Sequence, residues 1–129
     1  MKIHIITDIM GLPHAVSATA ANIGDRAAAI DMISAYAPNL SIIAKIIADA
    51  GYTGENFANA VSAVIGSKVD IVKRTELHKF VVMPKRWVAE RPFGWLEHYR
   101  RLWKNCERKP ENTVQMIVLA FISLLLRRW

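Results

Sequence analysis

The chain has 129 residues, 53% of them hydrophobic, which is enough for one domain with a real core and too apolar for a disordered segment. Its formal charge of +6 is uneven. Residues 1–67 carry three basic against five acidic side chains (net −2), and residues 68–129 carry fourteen against six (net +8). The second half therefore points to a polyanion: nucleic acid first, an anionic membrane surface second, and a plain solvated basic face as the bland alternative. A lone Cys106 excludes an internal disulfide and offers no metal-ligand spacing.

Taken in chain order, "KIHIITDIMGL" favours an extended strand through Ile3, Ile5 and Ile6, with Asp8 near its end. Gly11, Leu12 and Pro13 turn it into a second extended run, "HAVSATAA", so a β-hairpin is expected. Asn22 or Asp25 can cap a helix through "RAAAIDMISAYA", which Pro38 stops. "KIIAD", ending just before Gly51, predicts a short buried strand. Thr53 can cap a helix with Phe57, Val61 and Val64 on one face and Gly66 as terminator. "KVDIVKR" predicts another strand, and "ELHKFVVM" a loop or short strand.

Two C-terminal helices complete the chain. The first is expected to run from about Pro84 to Trp103 with Val88, Trp95, Leu96, Tyr99 and Leu102 as its apolar stripe. Pro92 is out of place inside such a helix, so a start around Ala89 would put it in the first turn. Pro110 and Glu111 open the second, whose run "TVQMIVLAFISLLL" is 14 residues, short of the roughly 20 needed to span a bilayer. A buried or partner-covered helix is expected there instead. This order of elements predicts an α/β domain with a mixed sheet, residues 1–129 forming a single core.

Three carboxylates stand apart. Asp8 and Asp49 end apolar strands, and groups at the carboxyl ends of strands in an α/β sheet converge on a crevice. Held close, such acids must share a proton or bind a divalent cation, and oxygen-only donors select Mg²⁺ or Mn²⁺. Each aspartate taken singly is more commonly a turn former or a cap. Glu90, on a helix among cations and aromatics, is more commonly a surface partner of Arg86 or Arg91. The residues alone leave both readings open.

"RWVAERPFGWLEHYRRL" resembles the segment around the catalytic glutamate of bacterial insertion-sequence transposases of the DDE superfamily. "IITDIMGLPHAVSATAANIGD" and "IIADAGYTGENF" are similar, in the same order, to the passages bearing that family's first and second aspartates. The three passages extend the resemblance over residues 2–128. It implies a ribonuclease H-like catalytic core: a mixed sheet flanked by helices, with a triad of Asp8, Asp49 and Glu90 holding two Mg²⁺ or Mn²⁺ ions. The activity implied is cleavage at transposon ends and strand transfer into target DNA. Double-stranded DNA is the expected partner, held as a homo-oligomer on DNA in the cytoplasm, on the nucleoid.

The chain departs from the family's pattern at Met83, where a tyrosine is usual, and at Glu97, where a lysine or arginine is usual. The phosphate contacts expected are Lys85, Arg86, Arg91, Arg100, Arg101 and Lys104. Trp95 and Tyr99 suit core packing better than base stacking, Trp87 and Trp103 less clearly so. His4 and His14 lie near Asp8 in sequence; His14, across the hairpin turn, could approach a metal site, but a hydrogen-bonded structural histidine is the commoner reading. The family usually carries a DNA-binding region before the first aspartate strand, so the chain is expected to be a fragment or the second frame of a split gene, partnered by the product of an upstream frame. The alternative is an inactive remnant serving DNA binding or dimerisation.

Overall fold

The computed structural model describes residues 1–72, 86–99, 102, 104 and 106–128, the side chains of 86–89 excepted. By its internal packing the chain divides into two compact units, residues 1–22 with 87–129 and residues 23–86.

The first unit is a hairpin with helices. Strands β1 (Lys2–Thr7) and β2 (Pro13–Thr19) pair antiparallel, with an irregularity in register between Ile6 and Thr7. Pro13 opens β2, where it has no ladder donor to lose. His4 is buried, and its Nε2 lies 3.0 Å from the Thr19 hydroxyl across the ladder, the structural role expected of it.

Among the described residues this unit also contains the helices α4 (Arg86–Glu97) and α5 (Pro110–Arg128). Val16, Leu96, Ile117, Ala120 and Phe121 form the core, with Ile3, Ile5, Trp95 and Tyr99 packed against it. Each fully buried side chain of this size contributes roughly 1.5–3 kcal/mol. Trp95 and Tyr99 therefore pack against the core, as their helical spacing predicts. The helix containing Glu90 is shorter than expected. It starts at Arg86 with Pro92 inside it, and after Glu97 the chain tightens into i→i+3 bonds, His98 N–H to Trp95 O and Tyr99 N–H to Leu96 O. α5 buries one face and exposes Val118, Leu119, Ile122 and Leu126 on the other.

The second unit contains α1 (Asp25–Ala35), α2 (Ala37–Leu40), β3 (Lys45–Asp49), a 3-10 turn (Ala50–Tyr52), α3 (Glu55–Ile65) and β4 (Lys68–Val72). β3 and β4 pair parallel, joined by α3, and α3 packs on α1. Ala28, Ala29, Met32, Ile33, Leu40, Phe57, Val61 and Ile65 are buried. Gly66 ends α3 at φ 70°, donating its N–H to Ser62 O, as the sequence predicts.

Several local expectations are corrected. Gly24 and Gly54 occupy the N-cap positions of α1 and α3, with Asp25 already helical. Thr53 instead donates its hydroxyl to Ala50 O (2.6 Å), closing the 3-10 turn. α1 ends before Pro38, as expected, but a further short helix, α2, follows at once, with Pro38 in its first turn, where its missing N–H is not needed. Ile65, and not Val64, faces the core, four residues beyond Val61. β3, expected to be buried, is half exposed, its side chains alternating, and among the described residues its ladder has two strands. The expected mixed sheet appears among the described residues as two two-stranded ladders, one antiparallel and one parallel. No helix among the described residues is long and apolar enough to cross a membrane.

Candidate functional site

Asp8 follows β1 and organises the hairpin turn. Its Oδ1 accepts the Met10 N–H at 2.8 Å and the Leu12 N–H at 3.0 Å, while the backbone closes the turn through Asp8 N–H to Leu12 O and Gly11 N–H to Asp8 O. Its Oδ2 faces His14 Nε2 across the turn at 3.5 Å, an ion pair only when the imidazole is protonated. One carboxylate oxygen is thus fixed by amides and the other is directed toward the hairpin's second strand.

The turn is seated on α4. Gly11 has φ +83°, and a Cβ there would lie 3.2 Å from the Cη2 and Cζ3 of Trp95 and 3.4 Å from the Cδ of Arg91. Only glycine permits both that backbone and that approach. Arg91 adjoins Glu90, so the turn that presents Asp8 rests on the stretch of α4 that presents Glu90, which is exposed.

Asp49 is the last residue of β3 and caps the 3-10 turn, its Oδ1 accepting the Gly51 N–H at 3.0 Å. Arg26, in the first turn of α1, donates its Nε–H to Gly51 O at 3.1 Å and ties the turn to that helix. Tyr52 packs against Phe57, the rings tilted at 46° with centroids 5.3 Å apart. Burial, then the negative charges of Asp25 and Asp49, push its phenol above the ordinary value. A carboxylate oriented through one oxygen by a backbone amide, with its second oxygen not so held, is a suitable hard-cation ligand. Both aspartates have this form.

Asp8 and Glu90 therefore belong to one unit and Asp49 to the other. Among the described residues β1 pairs with β2 and β3 with β4. Among the described residues, neither unit by itself gathers three His, Cys, Asp or Glu side chains that could hold a metal. Of the expected phosphate contacts, Arg91 lies over Trp95 at 5.8 Å from the ring centre and Lys104 is exposed. Arg86 is the first residue of α4, its side chain outside the described residues, as are Lys85, Arg100 and Arg101. Trp103 and Met83 also lie outside them, as does the side chain of Trp87. Glu97 is the exposed last residue of α4.

Arg26, Tyr52 and Arg128 were not singled out by the sequence. Arg128 stands over the same Trp95 ring at 4.6 Å. Arg26 and Arg128 are joined to their partners across 25 and 33 residues respectively, and no local periodicity carries such a pairing.

Comparison with known proteins follows the same lines. A family model described as a transposase DDE domain matches residues 1–126. A putative transposase for insertion sequence element IS402 from Burkholderia cepacia is 33% identical over 117 residues, 85% of this chain and 55% of that protein. The chain thus spans little more than half the length of this curated relative. No solved structure matches.

Proposed function

We propose that this chain, which belongs to the family of transposase DDE domains, is the metal-dependent catalytic part of an insertion-sequence transposase. It acts on double-stranded DNA, cutting a phosphodiester at a transposon end and directing the freed 3′-hydroxyl at target DNA. The observation that supports this best is the seat of the Asp8 turn on α4 through Gly11 and Trp95, since it sets the turn that carries Asp8 against the helix that carries Glu90. In this reading both units belong to one ribonuclease H-like core, and Asp8, Asp49 and Glu90 would hold two Mg²⁺ or Mn²⁺ ions.

When bound, such ions supply an activated attacking oxygen and take up charge on the leaving oxygen of the phosphodiester. The chain's own residues prepare for this. The Met10 and Leu12 amides fix Asp8, and the Gly51 amide fixes Asp49, so neither carboxylate has to be ordered when charge arrives. Arg26 holds the Asp49 turn from behind through the Gly51 carbonyl. Arg91 and Lys104, with Lys85, Arg86, Arg100 and Arg101, supply positive charge for the DNA backbone. Such contacts position a duplex without reading its sequence. The active form is a homo-oligomer on DNA, in the cytoplasm.

The test is cleavage of supercoiled plasmid carrying a transposon end, with Mg²⁺ or Mn²⁺, by this chain and by a full-length relative of the family carrying the same substitutions. Metal-dependent nicking is expected, with Asp8→Asn, Asp49→Asn and Glu90→Gln each lowering the rate by about 10³-fold, several kcal/mol of transition-state stabilisation. Nicking that survives all three substitutions, or that needs no metal, would contradict the proposal.

A further inference from the structure

Beside the Asp8 turn, β2 carries one residue more than β1. Ile6 pairs with Ala15 and Thr7 with Pro13, so one step along β1 spans two along β2, and His14 is the extra residue. A bulge of this kind bends the strand and re-aims the side chain that it adds. Here the imidazole reaches Asp8, with Nε2 of His14 standing 3.5 Å from Oδ2. That is the carboxylate oxygen left over once Oδ1 has accepted from the Met10 and Leu12 amides. His4, the other histidine of the hairpin, is buried with its Nε2 against the Thr19 hydroxyl.

A pairing role does not account for the spacing. Hydrogen bonds from nitrogen to oxygen run at about 2.7–3.2 Å, and 3.5 Å lies beyond them. The two side chains are 46% and 35% exposed, and an ion pair so open to water adds little to stability. Two donors each about 2.1 Å from one ion stand no more than about 4.2 Å apart, so 3.5 Å suits a nitrogen and an oxygen on a shared ion. The same exposure leaves room for water and phosphate oxygens at the remaining positions.

We infer that His14 is a nitrogen ligand for a divalent transition-metal ion held on Oδ2 of Asp8, and that it makes this position favour Mn²⁺ over Mg²⁺. Mg²⁺ is the harder ion and takes oxygen, whereas an imidazole nitrogen gains more with the softer transition metals. The neutral ring ligates through the Nε2 lone pair, the atom that faces Asp8. The bulge thus adds to an oxygen donor a second donor that discriminates between ions. The inference rests on the proposal that Asp8 is a metal ligand.

The test is Mn²⁺ binding to the intact chain, followed by electron paramagnetic resonance, with nitrogen hyperfine coupling read from spin-echo modulation and Mg²⁺ as competitor. The wild-type chain is expected to show coupling to a histidine nitrogen, which His14→Leu abolishes and His98→Gln leaves in place. His14→Leu should weaken Mn²⁺ binding at least about tenfold and Mg²⁺ binding by less than about twofold. Its Tm should not change, because the side chain is half exposed. The coupling is a property of the wild-type chain and is read whether or not a variant folds well. No Mn²⁺ binding by the wild type, binding without nitrogen coupling, coupling that survives His14→Leu, or an equal loss for both ions overturns the inference. If Mn²⁺ binding needs Asp8, Asp49 and Glu90 yet shows no nitrogen coupling, this inference alone fails. If the coupling is present and is lost in His14→Leu, while Asp49→Asn and Glu90→Gln leave binding unchanged, the triad alone fails.

Discussion

Asp8 and Asp49 both act as turn formers, one carboxylate oxygen accepting from backbone amides: those of Met10 and Leu12 for Asp8 and that of Gly51 for Asp49, which fixes the carboxylate plane before any ligand arrives. The support behind Asp8 is a single glycine. Gly11→Ala would force a φ of +83° on an L-residue and push Trp95 or Arg91 aside. A cost of about 1–2 kcal/mol is expected from the backbone alone, read as a lower urea midpoint. If the turn's seat on α4 matters to the chemistry, DNA nicking will fall further than that loss of stability explains. Tyr52 provides a second test in the other unit. Its proton is bound more tightly in the folded chain than in the unfolded one, where the value is 10.0. Above pH 10.0 the native state therefore holds more protons than the unfolded state, and stability falls as pH rises toward the folded value. Tyr52→Phe should remove this component, so the drop in Tm between pH 9 and pH 11 should be smaller in the variant.

Among the elements, α5 shows how one helix can be apolar almost all round and still have a core side. Ile117 is fully buried while Leu126 is 73% exposed. Ile117→Ala should cost roughly 2–5 kcal/mol in chemical denaturation and Leu126→Ala no more than about 0.5 kcal/mol. Equal effects would mean that the exposed face is covered in solution. Element positions were largely readable from local pattern. "KIIAD" marks β3 to the residue, "KVDIVKR" contains β4, its last two residues lying outside the described ones, and Pro110 marks the start of α5. The ends of helices were less readable. Thr53 has the chemistry of an N-cap and sits one residue before the real one, because its hydroxyl is committed to Ala50 O. α4 accepts Pro92 in its interior, a position where the ring removes a bond and favours a kink, and the sequence offered no sign that the cost would be met.

At the scale of the whole molecule, pairing and charge separate. The strands were legible, and so was the pairing of β1 with β2 through the short turn at Gly11–Pro13, whereas the parallel pairing of β3 with β4 across α3 joins segments that carry no local signal of their partner. The same limit applied to the site. Asp8, Asp49 and Glu90 could be picked out by position and by resemblance, while Arg26, Tyr52 and Arg128 enter only through tertiary contacts. The excess of positive charge in the second half remains the broadest sign of a polyanionic partner, and it predicts DNA affinity that falls steeply with salt.

In the proposed function Asp8, Asp49 and Glu90 hold divalent metal. Mn²⁺ binding by the intact chain, followed by electron paramagnetic resonance, tests it without requiring DNA or turnover. Asp70→Asn is the control, because Asp70 is already paired with Lys45 at 2.8 Å. Asp8→Asn, Asp49→Asn and Glu90→Gln should each weaken binding by at least about tenfold while Asp70→Asn leaves it unchanged. A triple variant that binds Mn²⁺ as the wild type does would contradict the account.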